Sequence, residues 1–240
     1  ELSGLGLIYC HSIEQYVRQI LELDLTFAPF EYQESEKRHY TSFPLSSGER
    51  VYFGGIIDRV DKVGSRLRVV DYKTGSEETR MAEWDLLLDF KYKAILQTLI
   101  YCAFLAESGV PKDEIYPAIY KLRGDYGLMV KGKGYDPLVQ LPLDTYGNAS
   151  DSTELPASPS PEHTSFLSEG NTSKGLGAKS PKKPKKPQTT LLSYAEAEVP
   201  FREVFIHGVL DELYDASTPF AQTPKEDNCH YCPFALSCGR

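Results

Sequence analysis

The sequence predicts an α/β domain, a central mixed sheet flanked by helices, with a cysteine-cluster staple at its C-terminal end. Three observations lead there. Helix-periodic and β-rich segments alternate along the first half of the chain. Phe53–Gly75, which reads FGGIIDRVDKVGSRLRVVDYKTG, is rich in β-branched residues around a two-residue turn signal, Gly64-Ser65. The chain then closes on Cys229-x2-Cys232-x5-Cys238, with Pro233 and Phe234 inside the cluster.

The elements follow in order. Ser12 with Gln15 reads as a capping box opening a helix over Ser12–Leu25, whose Ile13, Tyr16, Val17, Ile20 and Leu21 should face the core. Phe30–Leu45 contains a strand, and Val51–Lys62 with Leu67–Thr74 forms the hairpin. A variable stretch from Ser76 to Asp89 leads into a helix over Lys91–Ser108, stopped by Gly109-Val110-Pro111. Its Ile95, Leu96, Leu99, Ile100, Ala103 and Phe104 make an apolar stripe suited to packing on the sheet. Ile115–Leu122 is β-like and should pair with the hairpin, whereas Tyr126–Val139, with Gly127, Gly132 and Gly134, reads as a ragged hairpin or loop. From about Asp144 to Gln188 the chain is rich in Ser, Pro, Gly and Thr and has too little apolar surface to order itself. The basic tract Lys179–Pro187 inside it reads as a solvated linker in preference to an arm that brushes DNA phosphates. Helical spacing returns near Ala195 in Phe201, Val204, Phe205, Gly208, Val209 and Leu213, and Ser217–Asn228 leads to the cysteines. One domain is therefore expected, its core in residues 1–143, a disordered insert at 144–190, and a completing helix and tail at 191–240.

The hairpin carries the chemistry. If Val63 pairs with Arg66 across the turn, Asp58 lies opposite Asp71, and alternation puts Lys73 on the face of Asp71. Hard divalent cations take carboxylate oxygens, and a neighbouring lysine can hold an attacking water and offset developing charge. A hairpin with merely solvated or paired charges fits the spacing equally well. Asp61 opposite Arg68, on the other face, reads as such a structural pair.

The wording of the motifs separates these alternatives. Gly55-Ile56-Ile57-Asp58-Arg59-Val60-Asp61, then Val69-Val70-Asp71-Tyr72-Lys73-Thr74-Gly75, then Gln97-Thr98-Leu99-Ile100-Tyr101, resembles the RecB-type branch of the PD-(D/E)xK nucleases. The resemblance covers about Pro29 to Tyr120 and again about Ala195 to Arg240. It implies a restriction-endonuclease-like core and metal-dependent hydrolysis of DNA. Asp58, Asp71 and the backbone carbonyl of Tyr72 would hold Mg²⁺ or Mn²⁺, Lys73 would position the water, and Gln97 and Tyr101 would steady the lysine and contact the backbone. The C-terminal cysteines resemble the iron–sulfur staple of AddB-type nuclease domains, which implies a 4Fe–4S cluster, or zinc, on Cys229, Cys232 and Cys238, with Cys10 as the fourth ligand by default. The branch also carries an upstream histidine metal ligand. His11 is the candidate here, though the capping reading sets it ahead of the helix, and a histidine in sequence preceding this chain is the favoured alternative. Glu36 matches an accompanying acidic position or is a solvated strand charge. The implied parent is an AddB-like exonuclease subunit that works with a helicase partner in DNA repair and recombination. A freestanding nuclease of the CRISPR-adaptation type, and a catalytically silent DNA-end-binding module on the same fold, are the rivals.

Composition sets the bounds. At 240 residues and 41% hydrophobic content, the chain can bury one core. Its formal charge of −8 does not advertise a nucleic-acid binder, although a basic groove can be local; Arg59, Lys73, Lys91, Lys93, Lys121 and Arg123 could line it, but for most of them an ordinary solvated charge is the favoured reading. Five cysteines, an odd number, without a secretory signal argue against a disulfide framework. The absence of a transmembrane run points to a cytoplasmic protein, and the start at Glu1 to the C-terminal domain of a longer one.

Overall fold

The computed structural model describes residues 3–122, 137–143, 189–219, 221–224, 226–230 and 232–240. Helix α1 (Gly4–Phe27) leads into strand β1 (Glu31–Pro44), which turns back as β2 (Arg50–Val63) and again as β3 (Arg66–Lys73). Helix α2 (Lys93–Glu107) then crosses over to β4 (Ile115–Lys121), which pairs with β3 in parallel. These four strands form a mixed sheet in the order β1-β2-β3-β4. The Val63–Arg66 register is as expected, and Gly64 supplies the positive φ of 61° that the tight turn needs.

The sheet has two differently built faces. On one, α2 lays Ile95, Leu99, Ala103 and Phe104 against Ile57, Val60, Leu67 and Val69, all buried, as the apolar stripe predicts. Cys102 is fully buried there and belongs to the core. Beyond α2 packs helix α3 (Tyr194–Phe201), opened by a capping box between Ser193 and Glu196, which continues as a π-helical stretch (Arg202–Leu210) and a last turn (Asp211–Tyr214). The other face is covered by the end of α1, where Leu23 packs with Val70, Ala118 and Tyr120.

Two expectations fail at α1. The helix begins at Gly4, not Ser12, and Ser12 spends its hydroxyl on the carbonyl of Ile8 within the helix instead of capping it. His11 therefore lies inside the helix, where it is exposed. The Ile13, Val17 and Leu21 side chains expected in the core are 59%, 49% and 58% exposed. The reason is that α1 docks through its C-terminal turns alone, where Asp24 and Leu23 are buried, and the apolar residues of the preceding turns stay exposed.

A small antiparallel pair of β5 (Gln140–Pro142) and β6 (Thr189–Leu191) sets side by side the described residues that flank the polar insert. The rest of the insert, with the Lys179–Pro187 tract, and most of Tyr126–Val139 with Arg123 fall outside the described residues. Among the described residues no helix is long and apolar enough to cross a membrane.

Candidate active site

The β2–β3 ladder ends at Arg59 and Val70, one pair short of Asp58 and Asp71. Here the Asp58 carboxylate replaces the backbone partner: its Oδ2 accepts the N–H of Tyr72 at 2.8 Å. The side chain thus pins the point where the two strands part. On the other side of β2, Ser35 pairs with Arg59 and Lys37 with Ile57. Between them Glu36 takes a left-handed φ of 50° opposite Asp58, with its side chain exposed. Such a backbone costs a non-glycine residue about 1 kcal/mol, and no sequence signal announces it.

Asp71 is 1% exposed. Lys73 Nζ lies 3.1 Å from its Oδ1 and 2.8 Å from its Oδ2, so the ammonium straddles the carboxylate. Burial above all pushes the Asp71 carboxyl up to about 6; Lys73 pulls it down, and Asp58 and Glu77 add to the rise. From Lys73 a relay runs onto α2. Nζ donates to Gln97 Oε1 at 2.9 Å, and Gln97 Nε2 donates to the Tyr101 hydroxyl oxygen at 2.7 Å. Because Tyr101 accepts in this chain of bonds, its own proton remains to be donated outward. The i, i+4 spacing on a helix accounts for the second link. The Tyr101 ring fits because Gly55 has no side chain: a Cβ there would come within 2.9 Å of the ring.

These residues suit a divalent cation. Asp58 and Asp71 supply the hard carboxylate oxygens such a cation takes, at the point where β2 and β3 part. The other candidate ligands are placed elsewhere. His11 and Cys10 are exposed on α1. Cys229 and Cys232 share a turn closed by Cys232 N–H to Cys229 O at 3.1 Å, and Cys238 lies exposed in a final 3₁₀ turn. Among the described residues no three His, Cys, Asp or Glu side chains gather to hold a metal, and the cysteines are not assembled into a cluster site. Their tail does reach the site's helix, since Cys232 and Asp227 line a cavity with Phe90, Lys93 and Leu96.

Several charged residues have unforeseen roles. Arg59, counted among the possible groove cations, is buried on the α1 face, where it clamps Asp24 through two 2.7 Å hydrogen bonds and meets Asp61 at 2.8 Å. The Asp61–Arg68 pair expected from register is present at 2.6 and 2.9 Å. Glu77, just past the Asp71-Tyr72-Lys73 tripeptide, folds back beside Gly75 and reaches Lys93 at 3.5 Å. His39 pairs with Glu34 and stacks on Phe104, behind Tyr101. Ser46, His207 and Asp211 meet elsewhere, but Ser46 and Asp211 both approach the same nitrogen, Nδ1, so the histidine cannot relay a proton between them as in a nucleophilic triad.

A family model of the PD-(D/E)XK nuclease superfamily matches residues 6–239. Among curated proteins, the chain is 36% identical over 83 residues to an ATP-dependent helicase/deoxyribonuclease subunit of Clostridium tetani, covering 32% of this chain and 7% of that protein. It is 33% identical over 102 residues to a protein of the same name from Acetivibrio thermocellus, covering 39% of this chain and 8% of that one. The chain thus matches less than a tenth of the length of either relative.

Proposed function

Since this chain belongs to the PD-(D/E)XK nuclease superfamily, we propose that it is a metal-dependent deoxyribonuclease domain, exonucleolytic in action, that works beside a helicase in DNA repair and recombination. The observation that carries the catalytic part is the continuous relay from Asp71 through Lys73 and Gln97 to Tyr101 at the fork that Asp58 pins. Asp58 and Asp71 would hold Mg²⁺ or Mn²⁺, with the Tyr72 carbonyl as a further ligand. Once bound, the cation supplies Lewis acidity toward a phosphoryl oxygen.

The chain's own groups do the rest. Lys73, held by Asp71 on one side and Gln97 on the other, keeps its ammonium where an attacking water and the charge developing on phosphorus both need it. Gln97 fixes that lysine by accepting from it, and through its amide N–H it also orients Tyr101, whose proton is then presented to a phosphate oxygen. The helicase partner rests on the likeness to the two ATP-dependent helicase/deoxyribonuclease subunits alone.

The test is cleavage of end-labelled linear single- and double-stranded DNA with Mn²⁺ or with EDTA, by wild type and Asp71→Ala. Cutting that needs Mn²⁺ and disappears in Asp71→Ala is the expected result. DNA cut equally in EDTA, or by the variant, overturns the assignment.

A further inference from the structure

The groove beside the relay has a cation whose partner is poorly matched to it. Lys93, Gln97 and Tyr101 follow one another at four-residue steps along one face of α2. All three line a groove of about 260 Å³ whose opposite wall is the bare backbone of Gly54 and Gly55. Lys93 stands one turn before Gln97, about 6 Å along the helix axis, comparable to one nucleotide step of an extended strand.

The charges around it are unbalanced. Asp58 and Glu77 both press on the ionisation of Asp71, while Lys73 is the cation bound among them and is already committed to Asp71 and Gln97. Lys93 is 48% exposed and meets the largely buried Glu77, 16% exposed, at a loose 3.5 Å, with the Phe90 ring 4.1 Å beneath its Nζ. Glu77 is thereby held in the repulsive field of the Asp71 carboxylate. A polyanionic strand entering this groove, beside the carboxylates of Asp58, Asp71 and Glu77, needs a cation that is not consumed by the catalytic relay, and Lys93 is placed to be it.

We propose that Lys93 binds the phosphate next to the scissile one, and that Glu77 is a stand-in for that phosphate, displaced when a DNA strand enters. This rests on the nuclease reading above. Glu77 keeps the lysine extended over the groove in the free protein, and the incoming phosphate takes over the ion pair. Lys93 is thus a binding residue and Glu77 its competitor.

The experiment is fluorescence anisotropy with a labelled single-stranded oligonucleotide over a salt series without divalent metal, followed by steady-state cleavage with Mn²⁺. Lys93→Ala should weaken binding about 5–10-fold at low salt and reduce the slope of log K against log [salt] by about 0.7, the loss of one single-strand phosphate contact. It should raise KM with little change in kcat, and Lys93→Arg should restore most of the binding. Glu77→Gln should tighten binding instead. Lys112→Ala, which removes an ion pair with Glu198 past the opposite end of α2, should behave as wild type. If wild type binds and cuts while Lys93→Ala matches it in affinity and slope, or if Glu77→Gln weakens binding as Lys93→Ala does, the proposal falls and the nuclease reading stands. A wild type that neither binds nor cuts DNA overturns both.

Discussion

The two faces of the sheet are made from neighbouring residues of the same strands, yet they treat charge in opposite ways. On the α1 face Arg59 and Arg68 meet Asp24 and Asp61 among the rings of Phe27, Phe30, Tyr72 and Tyr120, and the charges of the two guanidiniums and two carboxylates cancel. On the α2 face Asp71 holds the Lys73 ammonium, Asp58 accepts only the Tyr72 N–H among the hydrogen bonds described, and Asp58 and Glu77 both press on Asp71. Alternate residues, Arg59 beside Asp58 and Tyr72 between Asp71 and Lys73, tie the two faces together. The balanced face is a clamp that attaches α1. The unbalanced one holds the Asp71 carboxylate at a cost that protonation or a bound cation relieves, a pattern common at functional sites.

Substitutions should break this contrast in opposite directions. The largest expected effect on stability is Asp61→Ala: it strands Arg68 and weakens the Arg59 cluster in a site where Asp61 is fully buried. Denaturant unfolding should show a loss of about 3–5 kcal/mol. An unchanged midpoint would mean the α1 face is not the clamp described here.

Asp71→Asn should do the reverse in metal-free protein, raising stability by about 3 kcal/mol at neutral pH while abolishing cleavage. The pH dependence follows from the same group. An acid whose folded-state pKa is raised, here from 3.8 to about 6, holds its proton more tightly when folded. Its contribution is therefore fully present below the ordinary carboxylate value and lost as pH rises through about 6. Thermal melts of metal-free wild type should fall across that window, and Asp71→Asn melts should be flatter. Added Mg²⁺ or Mn²⁺ should raise the wild-type Tm above that window and leave the variant's Tm nearly unchanged.

In activity, Lys73→Ala should lower kcat by about 10²–10³-fold, the scale for losing one charge-stabilising donor, and retain metal binding by calorimetry. The smallest effect should come from Tyr101→Phe, which keeps the ring against Gly55 and removes only the outward proton: about 10-fold in kcat/KM, the worth of one hydrogen bond. Should Tyr101→Phe cost as much as Lys73→Ala, the relay is more than a support for the lysine.

Much of the site was legible because it is local. A hairpin closed by Gly64-Ser65 has its register set by the turn, so the Asp61–Arg68 pair follows from it, whereas the ladder opens before the Asp58–Asp71 pair that the same register would continue to. The helical face of Gln97 and Tyr101 follows from the 3.6-residue repeat in the same way. The cysteine tail was legible as a motif but not as a place: spacing gives the turn at Cys229–Cys232, whereas its seat against Phe90, Lys93 and Leu96 depends on packing over a long separation in sequence.

From the sequence by itself came the strand pairing around the site, the identity of its charged groups and the α2 stripe that buries its helix, because turn chemistry and periodicity act over a few residues. Only the tertiary structure decided which charges are spent and which remain available. Arg59 looks like a groove cation in sequence and is a buried clamp because Asp24, 35 residues away, comes to meet it. Glu77 looks like one more acid in a variable stretch and becomes the neighbour of Asp71 and partner of Lys93 once the loop folds back. The α1 stripe looks like core and is exposed because the helix docks by its last turns. Burial and ion pairing between distant segments are set by the packing of whole elements, and no local pattern carries that information.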